Sequence, residues 1–556
     1  MEPQTLPVQK PSHERTTIGA LFHECAGTFG DKTALMYRDP ARILTFRQLD
    51  SASDAVAKSL IASGIAQGAH AAVWAPNIPE WLIVSFGCAK AGIPIICLNT
   101  NFRAYDLEYI LKLADVDILF LASGGAQPGD YPDAVYEICP ELKDSGAGNL
   151  KSRRLPRLKT VVLLGDEQHT GMLTWQEFLS RGEPVSAPDL HRRISSVRPD
   201  DGAFIFLTSG TTGRPKCALW RHARFIGNMT YLAEKILFTP DDVCCIPLPF
   251  FHVYGCGVTL SSLFSGCTVA PVVRFNAREF LTTIESSHAT QVFGTPTMFV
   301  AALDELGRAP YDTSSLKGGN MGGSVSPPAL VGAVIEKMGA EKFGILYGMT
   351  EILLFACGSP RDSSENRIGS IGRPSEKIRS KIIIPATGTE VPPGQQGELL
   401  VHSPWTMSEY YHNPEATAEL IDAEGFVHTG DIAFVDRDGY YHITGRSKDL
   451  IIRGGDNISP SEIEGFLLTH PAVLDAQVVG IRSGYFGEEP LAFVRLKPGQ
   501  AVTALGLKQF CRRNIDITRV PADFLFVDQY PLTASGKVQK FRLREMAEEM
   551  LAREDH

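Results

Sequence analysis

The segment Thr208-Ser-Gly-Thr-Thr-Gly-Arg-Pro-Lys216 gathers hydroxyls, glycines and two cations into one short string. It can wrap a polyphosphate. Thr208, Ser209, Thr211 and Thr212 supply hydroxyl donors, Gly210 and Gly213 let backbone N–H groups approach, and Arg214 and Lys216 add positive charge. A P-loop needs Gly directly before Lys and Ser or Thr directly after it; Pro215 and Cys217 stand there instead, which disfavours a Walker-type ATPase. In Tyr347-Gly-Met-Thr-Glu351, a carboxylate beside a hydroxyl can hold Mg2+ against phosphate oxygens, and an aromatic next to Gly348 offers a flat surface to a purine. Asp431 follows Thr429-Gly430 and precedes an apolar strand, a placement that lets a carboxylate accept both hydroxyls of a ribose. Lys537 ends a Thr-Ala-Ser-Gly loop. Its compact charge on a flexible stem suits joining a carboxylate nucleophile to a phosphate oxygen while negative charge builds between them.

Other chemistry-bearing residues read less sharply. His252, between Phe251 and Val253, is either a satisfied core histidine or a functional group of the site. Zinc held by Cys244, Cys245, His252 and Cys256 fits no common ligand spacing. Ser324 in Gly322-Gly-Ser-Val-Ser lacks the closing glycine of a nucleophile elbow. Asp436 and Asp438 do not continue at the spacing of a Ca2+ loop and read as a hairpin turn between Ile432–Val435 and Tyr440–Ile443.

The elements that must position these groups follow from periodicity. Short apolar runs alternate with helical patterns: strands at Ala71–Ala75, Ile95–Leu98 and Ile118–Ala122, helices beginning at Pro79 and spanning Ala104–Leu113. A second strand-helix series runs from Ala203 to Gly358. Alternation of that kind predicts βαβ units and mostly parallel sheets. Residues 123–155, with the basic Lys151-Ser-Arg-Arg, read as irregular, solvated surface. From Ile371 the pattern changes to strand pairs joined by tight turns. Past Arg446 it changes again, to a capping box at Ser459-Pro-Ser-Glu462 whose Ser oxygen is expected to accept an orphan N–H, then strands at Asp475–Ile481 and Leu491–Leu496 and a helix over Leu505–Arg513. The chain of 556 residues suits three to four domains or subdomains, and its 44% apolar and 21% charged residues are those of a globular protein. A net charge of −10 argues against broad nucleic-acid binding or a basic membrane surface. Eleven cysteines without C-x-x-C pairs predict a reducing compartment and no disulfides. With no signal-peptide pattern, no apolar run of membrane-spanning length and a Glu554-Asp555-His556 end unlike S-K-L, the expected location is cytoplasmic.

Thr208 to Lys216 resembles the phosphate loop of the adenylate-forming superfamily, which holds acyl-CoA synthetases, aryl-CoA ligases, beetle luciferases and the adenylation domains of nonribosomal peptide synthetases. Pro247-Leu-Pro-Phe-Phe-His-Val-Tyr-Gly255, Tyr347-Gly-Met-Thr-Glu351, His428-Thr-Gly-Asp431, Gly445-Arg-Ser-Lys-Asp449, Gly454-Gly-Asp-Asn-Ile458 and Pro531-Leu-Thr-Ala-Ser-Gly-Lys537 resemble that family's motifs in the family's order. The resemblance covers essentially the whole chain. It implies an α/β fold: a large N-terminal adenylation domain, 1–447, of two parallel-sheet subdomains plus a β-barrel-like part, and a small mobile α+β lid, 448–556. It further implies ATP, Mg2+ and CoA, or a carrier-protein phosphopantetheine, as reactants and cofactors.

Residue by residue, the resemblance makes Glu351, with Thr211, the Mg2+ ligands. Thr350 contacts the α-phosphate, Tyr347 stacks near adenine alongside Gly322, Gly323 and Ser324, Gly348 belongs to the same nucleotide site, and Asp431 and Arg446 contact ribose or phosphate. Lys537 is the catalytic lysine, Lys448 the hinge, and Gly454 and Gly455 the loop beside a pantetheine channel. His252 borders the acyl carboxylate. Because no acidic residue stands between Pro247 and Gly257 to hold an α-ammonium, the substrate is expected to be an acid without an α-amine. Phe251, Val253, Phe293, Thr297, Met298 and Phe355 are candidate acyl-pocket walls whose apolar lining would suit a medium-chain or longer fatty acid, although aryl acids stay open. The implied activity is ATP-dependent activation of a carboxylic acid to acyl-AMP and transfer to CoA, by a monomer or homodimer. Transfer to a carrier protein and a luciferase-like oxygenase are the alternatives.

Overall fold

Apolar runs too continuous to alternate between faces predict strands covered on both sides, and Val116–Ala122 is buried along its whole length. The computed structural model describes residues 16–123, 131–208, 215–453, 456–483, 485–533 and 536–554. The architecture is the expected mixed α/β one, and it divides into two units: Met1–Phe293 with Gly348–Leu354 and Ser403–Ala423, and Gly294–Tyr347 with Phe355–His402 and Glu424–His556. The expected division after residue 447 falls at the 3-10 turn Ser447–Asp449 of the second unit.

In the first unit a seven-stranded sheet runs in the order Glu409–Tyr410, Lys216–Arg221, Gly202–Thr208, Ile95–Cys97, His70–Trp74, Val116–Ala122, Thr160–Leu164. The last five of these are parallel; Lys216–Arg221 returns antiparallel to Gly202–Thr208, with Thr208 and Lys216 as register partners. Thr33–Leu35, Thr268–Pro271, Val243–Ile246 and Gln291–Gly294 form further parallel pairs. The second unit holds the parallel pair Gly318–Gly322 and Lys342–Tyr347 and an antiparallel sheet of Arg379–Ile383, Gly397–His402, Val427–Val435 and Tyr441–Arg446. Towards its C-terminus the long hairpin Val473–Ser483 and Gly487–Leu496 is buried on both faces. Val478, Ala492 and Val494 enter one cluster with Leu467 and Leu507, while Val479, Leu491 and Phe493 enter another with Leu543.

Two local expectations are corrected. Residues 131–144 are not irregular: Tyr131–Ile138 is a helix whose buried Tyr131, Ala134, Val135 and Ile138 follow helical spacing, and Pro140–Asp144 is a 3-10 turn. The helix Pro460–Leu467 begins after Ser459 as expected, yet the Ser459 side chain caps no N–H. Its hydroxyl donates to the carbonyl of Thr444 instead, because Gly445 leaves the strand Tyr441–Arg446 close enough to take it. The Asp436 carboxylate accepts from the N–H groups of Asp438 and Tyr440, as a hairpin turn requires. The eleven cysteines are buried and unpaired, and among the described residues no helix is long and apolar enough to cross a membrane.

One buried side chain governs the segment Gly348–Leu354 in the first unit. Asn228, on the helix His222–Ile236, donates to the carbonyls of Ile352 at 3.0 Å and Trp405 at 3.1 Å and accepts from the N–H of Leu354 at 3.3 Å. Asn228→Leu keeps the branched shape and number of side-chain heavy atoms but strands these backbone groups, each costing about 1–3 kcal/mol when buried and unpaired. We expect urea denaturation to show a loss of roughly 3 kcal/mol; an unchanged midpoint would refute this role for Asn228.

Candidate functional site

The first unit assembles a carboxylate, a cation and a threonine around one tyrosine. Glu351 is 6% exposed. Its Oε1 accepts from the Tyr410 hydroxyl at 2.5 Å, and Thr208 also hydrogen-bonds Tyr410. The Lys216 ammonium stands 4.8 Å from the centroid of the same ring. Burial, and then the Glu351 charge, push the Tyr410 hydroxyl far above its ordinary value, so it stays a neutral donor. Nothing in the motifs pointed to Tyr410. Its position comes from the two-residue strand Glu409–Tyr410 pairing with Leu219 and Ala218, a long-range contact without a local signature.

The backbone around Glu351 is fixed from several sides. Trp220 Nε1 donates to the Thr350 carbonyl at 3.0 Å, and the N–H of Met407 donates to the Glu351 carbonyl at 2.8 Å. The segment doubles back so tightly that a Cβ on Gly348 would stand 1.5 Å from the Leu353 carbonyl oxygen. Beside it, Leu353 packs against Gly257 of the helix Val253–Phe264. His252 is the N-cap of that helix, its Nδ1 accepting the N–H of Tyr254 at 3.2 Å, which fixes the tautomer with the proton on Nε2. Phe251, Val253 and Phe293 are buried. Burial pushes the Cys245 and Cys256 thiols well above their ordinary range, and among the described residues no group of three His, Cys, Asp or Glu stands where it could hold a metal. Ser209, Gly210, Thr211, Thr212, Gly213, Gly454 and Gly455 lie outside the described residues.

The second unit answers another buried carboxylate in a similar way. Asp431, 4% exposed, accepts from the Tyr347 hydroxyl at 2.5 Å on one oxygen and from Arg446 Nε at 2.9 Å on the other. Asp431 and Arg446 are register partners across the hairpin, and Tyr347 ends the strand Lys342–Tyr347. Burial first, then the charge of Asp431, raise the Tyr347 hydroxyl well above its usual range, while Asp431 holds the Arg446 guanidinium still more firmly protonated. Phe355 lies edge-on to Tyr347, with centroids 6.1 Å apart, and to Tyr441, 5.1 Å away. In the same unit the Lys537 stem passes over Gly323, its Cε 3.3 Å from where a Cβ there would stand. Thr297 donates to the Gly536 carbonyl, and Met298 lies beside Gly536. Ser324 and Lys448 are exposed.

Residues 22–411 match the family described as AMP-binding enzyme, and residues 462–537 match the AMP-binding enzyme C-terminal domain. The chain belongs to the AMP-binding enzyme family. YngI of Bacillus subtilis (strain 168) is 40% identical over 96% of this chain and 98% of its own length. The medium-chain acyl-CoA ligase ACSF2, mitochondrial, of Danio rerio is 35% identical over 97% of this chain and 89% of its own. Among solved structures, the anthranilate CoA ligase AuaEII in complex with anthranoyl-AMP matches with a TM-score of 0.84 at 26% identity, over 97% of this chain and 98% of that one. ATP-bound MatB from Rhodopseudomonas palustris matches at 0.80 and 25% identity, over 96% and 100%. The likeness read from the ordered motifs is borne out. In this AMP-binding enzyme, Gly348→Ala forces a methyl group into the Leu353 carbonyl, an overpacking that relaxation cannot absorb cheaply. We expect a loss of about 3 kcal/mol, read from the thermal unfolding midpoint; a midpoint within a degree of the parent would contradict the tight turn described for Gly348–Leu354.

Proposed function

We propose that this enzyme is an AMP-forming acid–thiol ligase that activates a medium-chain fatty acid with ATP and passes the acyl group to CoA. The adenylation chemistry is carried by the match, along nearly its whole length, to a ligase structure holding an acyl-AMP, in a chain that keeps Glu351, Asp431 and Lys537, and the medium-chain substrate is supported by the 35% identity to a medium-chain acyl-CoA ligase. In the first half-reaction a carboxylate oxygen attacks the α-phosphorus of ATP. The bond from that phosphorus to the bridging oxygen breaks and pyrophosphate leaves. In the second, the CoA thiol loses its proton, its sulfur attacks the acyl carbon, and AMP departs with the oxygen that joined them.

The protein's part is positioning and charge stabilisation. Lys537 neutralises charge gathering between the acid and the α-phosphate, and Thr350 donates to that phosphate. Asp431 accepts from the ribose hydroxyls with the lone pairs that Tyr347 and Arg446 leave. Glu351 suits Mg2+, because Tyr410 hydrogen-bonds the carboxylate without cancelling its charge; when bound there, the ion would offset phosphate charge. His252 borders the substrate carboxylate. The buried Phe251, Val253 and Phe293 form part of the acyl wall. Lys448 serves as the hinge about which the C-terminal part turns between half-reactions, and Gly454 and Gly455 border the pantetheine path.

A panel of carboxylic acids, assayed for pyrophosphate release with CoA present and absent, tests this directly. Medium-chain acids should give the highest rates, with thioester formed only when CoA is added. Lys537→Ala should lower acyl-AMP formation by about 10²-fold or more, a loss of the size seen when a charge-stabilising donor is removed, while thioester formation from synthetic acyl-AMP continues. Equal loss of both steps would overturn the role given to Lys537.

A further inference from the structure

Thr533 is hydrogen-bonded to both Gly536 and Lys537. The N–H of Thr533 donates to the Lys537 carbonyl at 2.7 Å, and the N–H groups of Gly536 and Lys537 donate to the carbonyl and hydroxyl of Thr533, each at 3.0 Å. These bonds couple the backbone of Gly536 to that of Lys537, so a contact made on Gly536 constrains where the lysine stem begins. Thr297, second residue of the helix Pro296–Leu306, donates its hydroxyl to the Gly536 carbonyl. Behind it, the hydroxyl of Thr295, a residue 2% exposed, stands 3.0 Å from that of Thr297. Since Thr297 donates outward, its oxygen accepts from Thr295, and the two hydroxyls form a polarised chain ending on the loop.

The fit at Gly536 is tight. Gly536 has φ +79°, and a Cβ there would stand 3.1 Å and 3.3 Å from the Thr295 and Thr297 hydroxyl oxygens. On the other side of the lysine stem, Gly323 has φ +92°, and a Cβ there would meet Lys537 Cε at 3.3 Å.

We propose that Thr297 is a positioning residue for adenylate formation: its hydroxyl, oriented by Thr295, docks the Gly536 carbonyl and holds the Lys537 stem over Gly323. This rests on the ligase reading above and adds to it the group that selects the lysine-in arrangement. A wall of an acyl pocket needs only the shape of Thr297, whereas the dock needs its hydroxyl. Thr297→Val keeps the shape and removes the hydroxyl; Thr297→Ser keeps the hydroxyl.

Single-turnover acyl-AMP formation, thioester formation from synthetic acyl-AMP, the KM for the acid and the rate of tryptic cleavage after Lys537 are compared in the full chain. Loss of one neutral hydrogen bond corresponds to about a three- to tenfold change. Thr297→Val should slow acyl-AMP formation by about that factor and speed cleavage after Lys537 comparably. It should leave acid KM and thioester formation near the parent values, and Thr297→Ser should restore both affected rates. Unchanged acyl-AMP formation and cleavage in Thr297→Val, a parallel fall in both half-reactions, or a raised acid KM that Ser does not rescue would overturn the proposal while the ligase reading stands. A parent enzyme that makes no acyl-AMP from any acid would instead remove the ligase reading, and this proposal with it.

Discussion

An ionised carboxylate beneath a protein surface must be met by donors or a cation, or it takes up a proton. That constraint operates in each unit by itself. Asp431 and Glu351 are both buried, and each receives a tyrosine hydroxyl at 2.5 Å, from Tyr347 and Tyr410 respectively. Both tyrosines are held in the neutral form by burial and by the carboxylate itself. A neutral donor lowers the desolvation penalty yet leaves the negative charge in place, so the carboxylate can still engage hydroxyls or a cation. At Asp431 the guanidinium of Arg446 adds a permanent opposite charge from the neighbouring strand.

Backbone shape is the second requirement. The Thr350–Glu351 pair is carried on a reversal that admits only glycine at position 348, with Leu353 at a positive φ of 56°. A turn of that kind does not hold itself. Trp220, Asn228 and Met407 bind its carbonyls from separate elements of the first unit. Strain and rigid support thus occur together, as is common where side chains must be presented accurately.

Much of this was legible from residue order. The strands Gly202–Thr208 and Val116–Ala122 were readable because a parallel sheet covered on both faces leaves an unbroken apolar run, and the hairpin at Asp436 because its turn residues are locally determined. The pairing of Asp431 with Arg446 was foreshadowed only as two separate ribose or phosphate contacts. What sequence could not show is what depends on distant chain segments. Tyr410 reaches Glu351 through a two-residue strand that no local pattern announces. The helix Tyr131–Ile138 was hidden by the irregular composition on either side of it. The hydroxyl of Ser459 had a local partner in the expected capping box, and a neighbouring strand carbonyl competed successfully for it. Thr297 is legible in the sequence only as a candidate pocket wall, and the fold brings it to the Gly536 carbonyl.

The central claim is that an acyl–AMP anhydride lies between the acid and the thioester. Transfer of isotope from the acid carboxylate tests it most directly. When the enzyme is given ATP, CoA and a medium-chain acid labelled with heavy oxygen in both carboxylate positions, mass spectrometry should find one label in the AMP phosphate and one in the thioester carbonyl. Label appearing in inorganic phosphate, or AMP formed without any, would contradict the account.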